Sequence, residues 1–189
     1  MGATHIPTSL PINNAQIGRR PSSSTLPMLL TFEIFNMNVH NCLVDSGASS
    51  NVMPLAVCQR LNARPTKSPL SIVQLDRKSV KVIGELKDVL IHLSSNSKVH
   101  QIIDIVVCDI PPAYGMLLSR DWSAQLHGYF STDWSSLWVH VARQSNMVRI
   151  DREKYMKHTV TELNGPNEPI MFTQTELGNF YLDTFFGNF

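Results

Sequence analysis

Apolar residues in this chain fall in short runs separated by turn-forming residues, from about Pro27 to about Arg143. Met28 to Phe35 is a short β-prone run. Asn36-Met37-Asn38 signals a turn, and Val39 to Val44 follows, so the pair reads as a hairpin. A loop of small residues comes next, Asp45-Ser46-Gly47-Ala48-Ser49-Ser50-Asn51. Pro54 to Leu61 predicts a short helix with proline near its first turn. Pro69 to Leu75 and Ser79 to Ile83 predict two strands around the charged turn Asp76-Arg77-Lys78, with Gly84 as an interruption. Leu86 to Leu93 carries apolar residues mostly at period two. Val99 to Val107 is strongly β-branched, Tyr114 to Leu118 is short and apolar, and Leu137 to Val141 is a last strand. Between those two, Arg120 to Leu126 predicts a second short helix, started by Ser119 or Asp121. Many short strands with little helix predict an all-β domain over residues 27–143.

The flanks differ in character. Residues 1–26 are rich in Ser, Pro and Asn and read as a flexible leader. Residues 144–189 begin charged, become Asn/Gly/Pro-rich near Asn164 to Pro169, and end aromatic in Phe180, Tyr181, Phe185, Phe186 and Phe189. They read as a linker or the truncated start of a following region.

Composition narrows the function classes. The chain has 189 residues, is 43% apolar and 16% charged, and has a formal charge of +1. Its Lys and Arg residues are dispersed, so no nucleic-acid partner is expected. The three cysteines, Cys42, Cys58 and Cys108, are too widely spaced for a metal pair and make a poor disulfide framework. No apolar run has the length of a membrane span, and Met1 to Pro11 lacks the apolar core of a signal peptide. The expectation is an intracellular, cytoplasmic chain with no membrane partner, no cofactor and no metal.

The sequence with chemical content is Leu43-Val44-Asp45-Ser46-Gly47-Ala48. An apolar strand running into Asp45 would hold its carboxylate rigidly. The Ser46 hydroxyl can both donate and accept. Gly47 permits a tight turn and leaves room for a second carboxylate, and Ala48 avoids crowding. A plain Asx or Ser turn after a strand is the competing explanation of the same four residues. Peptide hydrolysis by aspartates needs two carboxylates sharing one proton, one activating water and the other protonating the carbonyl oxygen. Such a pair titrates as a unit, as is established for aspartic proteases. Asp45 is the only Asp here followed by Ser or Thr and then Gly. A working pair would therefore need two chains related by a two-fold axis.

Three segments give the sequence a family resemblance. It resembles the retropepsins, and more closely the protease segment of gypsy-type retrotransposon Gag-Pol polyproteins, particularly plant ones. The first segment is Leu43 to Met53; the resemblance implies that Asp45 is catalytic, that Ser46 grips the partner loop, and that Gly47 contacts substrate. The second is Val73 to Val80, which would be the flap, with Asp76, Arg77 and Lys78 at a tip where the family often has glycine after the Asp. The third is Gly115 to Trp122. There Leu117 and Leu118 would back the active-site loop and Arg120 would help hold the dimer. A surface charge is an equal reading of Arg120, and core packing is the favoured reading of Trp122. Ser119 departs from the usual glycine, and would be strained if the backbone there had a positive φ. The region after Met156 resembles, more weakly, the connection to a reverse transcriptase.

The resemblance implies a closed β-barrel of the acid-protease kind, a single lobe that forms a homodimer and cleaves its own polyprotein. The alternative is a catalytically inactive dimerisation or peptide-binding module of the same fold, for which Ser119 and Lys78 are the hints. A phosphorylated degradation signal of pattern D-S-G-x-x-S fits Asp45 to Ser50 in letters, but such signals occupy exposed flexible segments. Serine, cysteine and metalloprotease readings lack a placed His partner or a metal-binding motif.

Overall fold

The computed structural model describes residues 27–73, 77, 79–141 and 147–165. The first elements are β1 (Leu29–Ile34), β2 (Met37–Val44), β3 (Val52–Pro54), α1 (Leu55–Arg60), β4 (Ile72–Val73) and β5 (Ser79–Val80). They are followed by β6 (Val82–Leu93), β7 (Asn96–Cys108), β8 (Met116–Leu118) and α2 (Arg120–Gln125). The last are β9 (Tyr129–Phe130), β10 (Ser136–His140), β11 (Met147–Asp151) and β12 (Val160–Glu162).

Six strands close on themselves in the order β1-β6-β7-β3-β8-β2, with β2 returning to β1. The barrel is mixed: β2 runs parallel to β8 and β3 parallel to β7, while the other pairings are antiparallel. Closure leaves the ring without an open sheet edge. Its interior is filled by Phe32, Ile34, Ile91, Leu93, Ile105, Met116 and Leu118, all fully buried. Trp122 of α2 plugs the core with its ring edge-on to Phe32 at 5.5 Å. Core packing is thus its role, and burying such a ring stabilises the fold by about 3 kcal/mol.

β2 changes partners midway. Met37, Asn38 and Val39 pair with β12, whereas Cys42, Leu43 and Val44 pair with β8. Asn41 sits between the two halves with φ 55, a left-handed conformation that Asn tolerates better than most residues. The β1–β2 register shifts at the same place. Gly115 lies alongside; a Cβ there would fall 2.1 Å from the His40 carbonyl oxygen, so only glycine lets β8 begin so close.

The reading of residue 144 onward as a linker is corrected for residues 147–165. β11 pairs with β10 along its length, and β12 joins the main sheet on β2. Ile150, Met156 and Val160 are buried. The charged residues of this segment masked the pattern because they pair with the barrel rather than face only solvent: Glu153 accepts from Thr31, and Lys157 lies 3.1 Å from Glu153. The leader over residues 1–26 and the aromatic end after Gly165 lie outside the described residues. Gly84 is no interruption; it lies inside β6, where Thr66 crosses and bonds both ways with the Glu85 backbone. Among the described residues, no helix is long and apolar enough to cross a membrane.

Candidate active site

Asp45 is the first residue after β2, which is flanked by β1 on one side and β8 on the other. The Val44 N–H donates to the Met28 carbonyl at 3.0 Å, and the Asp45 N–H donates to the Leu118 carbonyl at 2.9 Å. The main chain is therefore fixed from both sides, while the Asp45 side chain is only partly buried. Its Oδ1 accepts the Gly47 N–H at 2.8 Å, and the Ala48 N–H donates to the Asp45 carbonyl at 3.2 Å. The loop turns back on the carboxylate and holds it with a backbone donor.

Gly47 does not need its left-handed freedom. The space is what matters, since an added Cβ would lie 3.2 Å from Asp45 Oδ1. Ser46 is exposed, as a residue available to a facing surface would be. Ala48 packs against a small apolar cluster that includes Leu29, Leu43, Tyr114, Leu117 and Met156. Leu117 lies opposite Leu43 in the small cluster and Leu118 opposite Val44 in the main core, so the two leucines are buried on opposite faces of the strand pair that carries Asp45. Arg120 is exposed, and its link to the loop is through the backbone: its N–H donates to the Ala48 carbonyl at 3.0 Å.

Ser119 has φ −74 and ψ 169 at the start of α2, an ordinary extended conformation. The strain that a positive φ would impose on a non-glycine residue is not there. The opposite holds at the hairpin formed by β4 and β5, which pair Ile72 with Val80 and Val73 with Ser79. Arg77 in its connection has φ 66 and is exposed. Asp76 and Lys78 lie outside the described residues.

Two features of this region carried no local sequence signal. Asn51 bonds through its side chain to Asp104 and Ser119, residues distant in sequence. His40 lies in a buried polar group, with Nδ1 2.9 Å from Thr31 Oγ1 and Nε2 2.8 Å from Thr161 Oγ1. Burial, and then the nearby Lys157 charge, lower its pKa to about 4, with Glu153 opposing. A cavity of about 390 Å³ opens beside the loop, between Ser49 to Asn51, Ile102, Asp104 and Trp122; Asp45 is not among its lining residues. Burial raises the Cys42 thiol above the ordinary range and pushes Cys108 up to about 11, so neither supplies a ready thiolate.

The fold is an all-β closed barrel of six strands in which a D-S-G-A loop leaves a barrel strand. The chain is similar to the retroviral protease-like domain of Ddi1 from Leishmania major, at 14% identity over 66% of this chain and 93% of that one, with a TM-score of 0.45. It is also similar to the EIAV protease solved with the inhibitor HBY-793, at 23% identity over 59% and 92% of the two chains, with a TM-score of 0.40. No protein-family model and no curated protein matches the sequence.

Proposed function

We propose that this protein is an aspartic endopeptidase that works as a homodimer, each subunit contributing Asp45 to a pair that polarises one water. The observation that carries this reading is the setting of Asp45. A rigid barrel strand ends in a carboxylate held by the Gly47 N–H, and its main chain is bonded to the Leu118 carbonyl behind it. Leu117 and Leu118 bury on the two opposite faces of β8, beside the strand that ends in Asp45. In this reading Ser46 bonds across the two-fold axis, the Gly47 backbone contacts substrate, the small Ala48 keeps the site uncrowded, the hairpin bearing Asp76, Arg77 and Lys78 closes over the peptide, and Arg120 contributes to the dimer. The polypeptide substrate would be the retrotransposon polyprotein of which the sequence resembles a part, cleaved without metal or covalent intermediate in the cytoplasm.

The inactive-module alternative drew on Ser119 and Lys78. The extended backbone of Ser119 removes the first of these. The test is Asp45→Asn in a longer polyprotein segment and in the isolated protein. Cleavage should fall by at least about 10³-fold, with the melting temperature and dimer mass unchanged. Wild-type activity per mole should rise with protein concentration through the dimerisation range. Retained cleavage in Asp45→Asn, or an inactive wild type between acidic and neutral pH, would rule the assignment out.

A further inference from the structure

The Asp45 loop is laced to one short segment at three points. The Leu118 carbonyl accepts the Asp45 N–H at 2.9 Å. The Ala48 carbonyl accepts the Arg120 N–H at 3.0 Å. The third point is the only one made by a side chain: Asn51 Oδ1 accepts the Ser119 N–H at 2.9 Å. Its other end, Nδ2, donates to the Asp104 carbonyl of β7 at 2.9 Å, and the Asn51 carbonyl accepts the Val106 N–H at 2.9 Å.

We infer that Asn51 is a positioning residue for Asp45, a clip whose amide fixes the end of the loop between β7 and the start of α2. The inference rests on the proposed role of Asp45 and deepens it. The side-chain amide suits both bonds at once, because it needs an acceptor facing an N–H and a donor facing a carbonyl. Asp keeps the acceptor and loses the donor, and Ala loses both. Without the clip, residues 46–50 are joined to the start of α2 through the Arg120 N–H alone, and the Gly47 N–H that holds the carboxylate moves with them. The cost then falls on the oriented carboxylate rather than on peptide binding, since small misplacements of a catalytic group reduce turnover steeply.

The experiment compares wild type, Asn51→Ala and Asn51→Asp in the full chain. Steady-state peptide cleavage is measured alongside amide hydrogen exchange at Ala48, Ser119 and Arg120, with melting temperature as the fold control. Asn51→Ala should lower kcat at least tenfold with KM within about threefold, and should speed exchange at Ser119 and Ala48 at least tenfold. Asn51→Asp should keep the Ser119 amide protected and recover part of kcat. Wild-type exchange rates at Ala48 and Ser119 in a folded Asn51→Ala, or an unchanged kcat, would overturn the clip. A wild type that cleaves nothing, combined with faster loop exchange in Asn51→Ala, would sink the peptidase reading and leave the positioning of the loop by Asn51 standing.

Discussion

Two residues of this barrel depart from the glycine that the resembling family often carries, and their backbones separate them. Arg77 holds φ 66, where a side chain costs about 1 kcal/mol relative to glycine. Ser119 holds φ −74, where glycine would bring no relief and would only loosen the unfolded chain. Arg77→Gly is therefore expected to be neutral to stabilising by up to about 1 kcal/mol, and Ser119→Gly to be destabilising by a few tenths. Urea melts of the two variants beside wild type decide the matter. A loss of stability in Arg77→Gly, or a gain in Ser119→Gly, would contradict these backbone assignments.

At the scale of elements, the join between β2 and β12 is a polar one. His40 is held neutral between Thr31 and Thr161, with Glu153 and Lys157 facing the same group. Asn41 clasps Lys157 through both backbone groups, at 2.5 Å and 2.9 Å. The folded pKa of His40, about 4, lies below its ordinary 6.5, so the unfolded chain binds the proton first. Stability from this group is complete above about pH 6.5 and declines as the pH falls toward 4, by at most about 3 kcal/mol. His40→Gln should flatten the fall in melting temperature between pH 7 and pH 4.5 relative to wild type. Parallel melting curves for the two proteins would show that His40 does not set this dependence.

On the scale of the whole molecule, the barrel does not end where the strand pattern fades. Ile150, Met156 and Val160 are buried against it, and the Arg60 guanidinium donates to the Val160 carbonyl at 2.6 Å. Exposing three such apolar side chains costs roughly 5 kcal/mol, comparable to the whole stability of a small domain. A protein ended at Arg143 should melt well below one ended at Gly165, or be unfolded at 25 °C, by circular dichroism. Equal melting temperatures would show that residues 147–165 lie on the barrel without supporting it.

The alternation of short apolar runs and turns determined the all-β class, both short helices, and most strand positions, because period and turn chemistry are local properties. The D-S-G-A loop after an apolar strand was legible for the same reason. Partner choice was not local. β3 is only Val52-Met53-Pro54, too short to show a period, yet it joins β7 to β8. β12 is equally short, and its charged surroundings read as a linker until their partners on β1 and β2 are seen. Asn51 acquires meaning only through residues 53 and 68 positions away, and His40 through Thr31 together with Thr161, 121 positions away. A hydrogen bond across such a separation leaves no spacing in the chain, so only the closure of the barrel could decide which polar side chains hold the Asp45 loop.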